Sequence, residues 1–349
     1  MGINRTIKVG ILTAPHIDFE LREHTFVLKN VRIGIGFHWD RLEDQEFAGQ
    51  LAIRNNADGT QTAINTIDIE DYLCSVISSE MRADSPMELL KAHAVISRSW
   101  VMRAIKNQES GIRNHEGFDV CADDHCQRYE GLRRINDRAV QAVRETAHQV
   151  LVYNDAICDC RYHKCCGGKT EVWRTCWEDI DVPYIQSVDC PYCGRVSAQT
   201  LRLVLNDYDQ ETKDFHDWKV TYTAAELGEI IRRKSGIDFG DIVDLIPLHR
   251  GASGRIDRLR IVGTKHTEEI GKELKIRLWL SPTCLYSSWF EVKKSFHLSS
   301  FIFQLSGRGW GHGAGLCQIG AAQMAVEGKT YEQILAHYYV GSRISVATY

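Results

Sequence analysis

No run of apolar residues in this chain approaches the roughly 20 needed to cross a bilayer as a helix, so no membrane-spanning helix is expected. Positive charge is not in excess either: 42 Lys and Arg stand against 46 Asp and Glu, for a net charge of -4. Nucleic-acid binding needs a basic footprint, and that class of partner is set aside. The opening Met1-Gly2-Ile3-Asn4-Arg5-Thr6 runs straight into a strand-like Ile7–Leu12, without a charged and apolar leader of the secretory kind. A protein that stays inside and one whose leader has been removed both fit that start. Internal repeats, low-complexity tracts and clear linkers are missing as well. What remains is a globular composition, 44% hydrophobic and 25% charged over 349 residues.

Cysteine, by contrast, is plentiful. Seven of the twelve lie between Cys158 and Cys193, with Cys121 and Cys126 shortly before. Secreted disulfide frameworks belong mainly to small domains without a core, and this chain is not small. Tight clusters with interleaved His favour metal ligation. His115, Cys121, His125 and Cys126 form one candidate tetrahedral site. Cys190-Pro191-Tyr192-Cys193 is a knuckle suited to two thiolates on one metal, with Cys176 and Cys166 (or Cys165) completing a second set. Structural zinc is the expected cofactor, because four protein ligands leave no open position for chemistry. A redox dithiol is the other reading of the C-x-x-C, but no thioredoxin-like context surrounds it.

The periodicities predict an α+β fold of short strands and helices around one cleft, in one composite domain over 1–349. Its expected parts are a β-rich start (1–67), a helical part (68–150), the Cys-rich segment (151–195) and an α/β remainder (196–349). Asp68 suits an N-cap for a helix from Ile69 to about Ser79. Ser85-Pro86-Met87-Glu88 reads as a capping box opening a second helix. Helices are also expected over Asn136–His148, Ala224–Lys234, Gln318–Glu327 and Tyr331–Tyr339. Strands are expected over Thr25–Val31, Leu51–Arg54, Thr62–Ile67, Gln149–Tyr153, Arg255–Val262 and Lys275–Leu280.

Glu80 falls at the end of the first helix, where the negative end of the helix dipole favours a neutral carboxyl. A neutral carboxylic acid is what protonation of a leaving group needs. Near the other end of the chain, Gly307-Arg308-Gly309-Trp310-Gly311-His312-Gly313-Ala314-Gly315 packs five glycines into nine residues. That loop permits close ligand approach, with Trp310 offering a face for a sugar ring and His312 and Gln318 polar contacts. It lacks the strand–loop–helix setting of a dinucleotide site.

Glu70-Asp71-Tyr72-Leu73, Ser79-Glu80-Met81 and Leu90-Lys91-Ala92-His93-Ala94-Val95-Ile96-Ser97-Arg98 resemble the first signature of the SpoIID/LytB family. The glycine-rich loop through Gln318-Ile319-Gly320-Ala321 resembles its second, and Gly254-Arg255-Ile256-Asp257-Arg258-Leu259 a third. His93 replaces the usual Gln, and Ser99-Trp100 the usual Thr-Tyr. The resemblance covers nearly the whole chain and implies a peptidoglycan lytic transglycosylase with Glu80 as its general acid and base. It implies zinc near Cys126-Gln127-Arg128-Tyr129, and places His163 and Glu171 near the cleft. Lys91 and Arg98, seven apart, share a helix face and are further candidate substrate contacts. A solvated face for Lys91 and a buried structural pair for Arg98 are the other readings. Glycan strands are the implied substrate and a cell-wall amidase a candidate partner, which would put the protein at the cell envelope or outside the cell. Two rival functions stand beside this one: a non-catalytic glycan-binding modifier of an amidase, and a zinc-dependent amide hydrolase.

Overall fold

A computed structural model describes residues 5–34, 41–109, 115–123, 125–205, 215–297 and 300–347. The fold is mixed α+β, built from several small sheets and mostly short helices. Strand Thr6–Ala14 is the spine of the first sheet. It pairs antiparallel with Gln61–Asp68, which in turn pairs with Gln50–Asn55, and its other edge takes the parallel strand Val120–Cys121. A second sheet joins Phe19–Leu21, Thr25–Ile33 and Arg41–Ala48.

The chain leaves the first sheet directly into helix α1 (Ile69–Glu80). Asp68 caps it as expected, its carboxylate accepting the Glu70 N–H. Helix α2 (Met87–Glu109) follows, and then α3 (Asp137–Glu145), capped by Asn136. The anticipated capping box at Ser85 does not form. The Ser85 hydroxyl donates to the Leu203 carbonyl, and Glu88 accepts the Tyr331 N–H, so both groups tie α2 to distant segments.

Among the described residues, two large hydrophobic cores form, with a small third cluster of Trp173, Cys176, Ile185 and Ala314. One gathers residues from Ile7 to Phe215 with Leu316 to Tyr339, so the C-terminal helices Gln318–Val326 and Tyr331–Tyr338 return to pack against α2. The other lies within Trp218–Leu305. Lys275–Leu280, expected as a strand, belongs to the helix Glu273–Trp279. Its Lys-Ile-Arg-Leu-Trp-Leu alternation imitates a strand. Ile276, Trp279 and Leu280 are the buried apolar residues, at helical spacing, while Leu274 and Leu278 face outward.

Candidate functional site

Glu80 is the last residue of α1, and two groups converge on its Oε1. The Tyr162 hydroxyl donates at 3.1 Å and the Arg128 backbone N–H at 3.3 Å. Oε2 takes no hydrogen bond from the described residues. The loop that presents Arg128 is fixed on both sides. Gln127 accepts from the Tyr72 hydroxyl of α1 and donates to the Ser97 carbonyl of α2, while the Tyr129 hydroxyl donates to Asn65.

Tyr162 sits on a short strand, Tyr162–His163, that pairs in parallel with Leu316–Cys317. Lys164, two residues along, stands 5.8 Å from the Trp310 ring, and Trp310 packs on Tyr286 and Phe215. His93 meets the Tyr162 ring edge-on at 4.5 Å. Burial first, and the Lys164 charge second, pull its pKa down to about 3. Neutral His93 accepts from the Gln318 amide at 3.1 Å and faces the Ser97 hydroxyl. Gln318, His93, Tyr162 and Glu80 thus form one continuous series. Neither Tyr162 nor the Arg128 N–H stands out in the sequence as a site group. A tyrosine one residue before an expected site histidine was the available signal.

The glycine-rich loop threads through tight quarters. A Cβ on Gly313 (φ +86°) would lie 2.4 Å from Arg255 Cζ, and one on Gly315 (φ +73°) 1.9 Å from the Arg161 carbonyl. His312 donates from Nε2 to the Tyr162 carbonyl and accepts the Ala314 N–H at Nδ1, which fixes its tautomer. Burial holds it neutral, well below the ordinary histidine range. His163 donates to the Ala314 carbonyl, and burial, then Arg255, bring it down to about 3. Both histidines brace the loop, whereas Trp310 is half-buried and borders the Tyr162–Lys164 strand.

Three expected substrate contacts are engaged elsewhere. Arg98 is wholly buried and makes a bidentate pair with Glu70, at 2.8 and 2.7 Å, with further bonds to the Gln149 and Val143 carbonyls. Lys91 pairs with Glu145 at 2.7 Å and Glu88 at 3.3 Å. Glu171 is buried, and its carboxylate accepts N–H groups of Val172, Ala252 and Ser253 and the Ser253 hydroxyl. Arg98 and Glu171 are thus enclosed by their protein partners, and Lys91 is held between two carboxylates.

His115, Cys121, His125 and Cys126 do converge, with all four donor atoms within 4.8 Å of one another. His115 Nε2 lies 3.2 Å from Cys126 Sγ, and His125 Nδ1 3.5 Å from the same sulfur. The neighbouring Cys126 thiol, more than any other group, draws the Cys121 thiol down to about 4. Two imidazoles and two sulfurs at this spacing fit a tetrahedral zinc. Such an ion would pin the loop two residues before the Arg128 N–H. The second cluster departs from the expected ligand set. Cys166, Cys190 and Cys193 meet Cys317, not Cys176. Cys176 lies in the short helix Trp173–Cys176, and its thiol is 3.4 Å from the His312 carbonyl.

The profile of the family described as stage II sporulation protein matches residues 57–153, the stretch that holds Glu80 and the His115–Cys126 cluster. An uncharacterized protein of Brachyspira hyodysenteriae is 32% identical over 302 residues, covering 86% of this chain and 72% of that one. The stage II sporulation protein D of Bacillus subtilis is 28% identical over 304 residues, 82% of this chain and 76% of its own. The chain belongs to the stage II sporulation protein D family. A second profile, a domain of unknown function, matches residues 171–315. The amidase enhancer of Bacillus subtilis, also similar, is 25% identical over 303 residues, or 78% of this chain but 40% of that protein. In this chain the family match holds Glu80, while Tyr162, Trp310 and Gln318 lie outside it.

Proposed function

We propose that this protein cleaves the glycan strands of peptidoglycan as a lytic transglycosylase, with Glu80 as acid and then base. The observation that carries this reading is the Glu80 carboxyl, with one oxygen held by Tyr162 and Arg128 and the other without a partner among the described residues. Among the described residues its bonding partners are a phenol and a backbone N–H, not a second carboxyl. Ordinary glycosidases flank the bond with two carboxylates. A single carboxyl suffices if the substrate supplies its own nucleophile.

Glu80 gives its proton to the oxygen leaving MurNAc C1 as that C–O bond breaks. The carboxylate so formed takes the proton of the same sugar's C6 hydroxyl, whose oxygen attacks C1 and closes a 1,6-anhydro ring. The proton returns to Glu80, and no water is consumed. The substrate's N-acetyl group can stabilise the oxocarbenium-like centre on the way. Tyr162 and the Arg128 N–H would fix the carboxyl's direction, and their bonds strengthen whenever it is charged. Trp310, beside Lys164, offers a ring face to a neighbouring sugar. The donors of the His115–Cys126 cluster would hold zinc as a closed, structural ion, which does not favour a metal-activated water.

Kinship with a protein named amidase enhancer supports a second reading, that of a glycan-binding partner of an amidase. Product masses separate the two. Peptide-free glycan should yield fragments one water lighter than hydrolysis products, and Glu80→Gln should yield none. Cleavage that survives Glu80→Gln would refute Glu80 as the acid. Binding without cleavage by the unaltered protein would favour the partner reading.

A further inference from the structure

We propose that Cys166, Cys190, Cys193 and Cys317 hold a single zinc ion as a closed tetrathiolate that braces the glycine-rich loop against the Cys-rich segment. The ligands come from three separate places. Cys166 begins the turn before Gly167 and Gly168, Cys190 and Cys193 form the C-x-x-C, and Cys317 is the N-cap of the helix Gln318–Val326. All four are buried and their sulfurs lie within 4.8 Å of one another, with Cys166 and Cys193 at 3.4 Å. Zinc–sulfur bonds of about 2.3 Å place tetrahedral ligands roughly 3.8 Å apart, so one ion fits this cluster. A disulfide would need about 2.05 Å and would join the sulfurs only in pairs. A polynuclear iron–sulfur cluster spreads its cysteines further, because sulfide bridges stand between the irons.

The surroundings suit charged sulfur. The N–H groups of Cys166 and Gly320 point at Cys317 Sγ, at 3.2 and 3.3 Å, and Gly168 N–H points at Cys166 Sγ at 3.4 Å. Metal-bound thiolates take such outer contacts. The Tyr338 hydroxyl lies 3.2 Å from Cys190 Sγ. The seat is shaped for sulfur as well: a Cβ on Gly320 would stand 2.6 Å from Cys190 Sγ and 2.4 Å from the Tyr338 oxygen. The ion would lock Cys317 beside Gln318, whose amide reaches His93, and Cys166 close behind the Tyr162–His163 strand. It is therefore a positioning centre for the Glu80 side of the molecule. The assignment stands on the sulfur geometry alone and does not rest on the glycan-cleaving reading.

The test is cadmium-113 NMR on the full chain after cadmium exchange, with elemental analysis of the protein before exchange. The expected result is zinc in the isolated protein and a cadmium resonance in the far-downfield range of four sulfur ligands. That resonance should vanish in Cys190→Ser and persist in Cys176→Ser. A mixed nitrogen–sulfur signal from the other cluster is separate and does not bear on the outcome. Absence of an all-sulfur signal in the unaltered protein would overturn the proposal. So would iron in place of zinc, or a mass two hydrogens low with thiols unreactive to alkylation. Because the decisive spectrum is that of the unaltered protein, a variant that fails to fold leaves the test intact.

Discussion

Arg98 gives the sharpest separation between a residue that holds the fold and one that meets substrate. Its side chain is fully buried, and its guanidinium meets Glu70 through two bonds below 3 Å. The remaining donors go to main-chain carbonyls of Ala94, Val143 and Gln149. Replacing Glu70 by Ala strips the charge partner while the guanidinium stays in the interior. Breaking a buried pair in this way costs about 3–5 kcal/mol. The Glu70 side chain is 19% exposed, so water can reach the vacated side and the lower end applies. Arg98→Met should cost a similar amount, and the double variant clearly less than the sum, since the two side chains share one interaction. Urea unfolding followed by far-ultraviolet circular dichroism measures this, with glycan binding assayed on the folded fraction. A loss below about 1 kcal/mol, the range of exposed pairs, would refute the buried-pair account. So would glycan affinity that falls while the unfolding midpoint stays put.

Tyr162→Phe removes one donor to Oε1, and a bond to a charged group is worth about 1.5–3 kcal/mol, so kcat should fall roughly 10- to 150-fold with KM little changed. His93 has its pKa lowered from 6.5 to about 3 in the folded chain, so the stability it confers is full above its unfolded pKa and drains as pH falls toward 3. It accounts for about 2 kcal/mol lost between about pH 7 and about pH 5, and His93→Gln should flatten that part of the stability–pH curve. Trp310→Ala should raise KM for long glycans more than it lowers kcat, as steady-state kinetics on defined oligosaccharides would register. Cys126→Ser should remove one equivalent of metal by elemental analysis and lower kcat, through the loop that presents the Arg128 N–H.

The parts of the fold legible in sequence are those set by local chemistry. Asp68 capping α1, the helical stripe of α2 and the glycine loop announce themselves within a few residues. Glu80 could be placed at a helix end for the same reason. What stayed hidden depends on long-range closure. Cys317 joins Cys190 and Cys193 only because the strand Leu316–Cys317 returns beside Tyr162–His163, and no spacing rule distinguishes it from Cys176. Arg98, Lys91 and Glu171 have the chemistry of ligand contacts, but Glu70, Glu145 and the Ser253 loop engage them first. Lys275–Leu280 has the alternation of a strand because Leu278, on the exposed side of the helix, falls between the buried Ile276 and Leu280.

Cleavage in which the sugar's own hydroxyl replaces water is read out by digesting peptide-free glycan strands in oxygen-18 water and weighing the new ends. The expected products are 1,6-anhydro-MurNAc ends with no label, dependent on Glu80. One labelled oxygen at each new reducing end would contradict it, because water would then be the nucleophile and a base for it would have to exist elsewhere in the site.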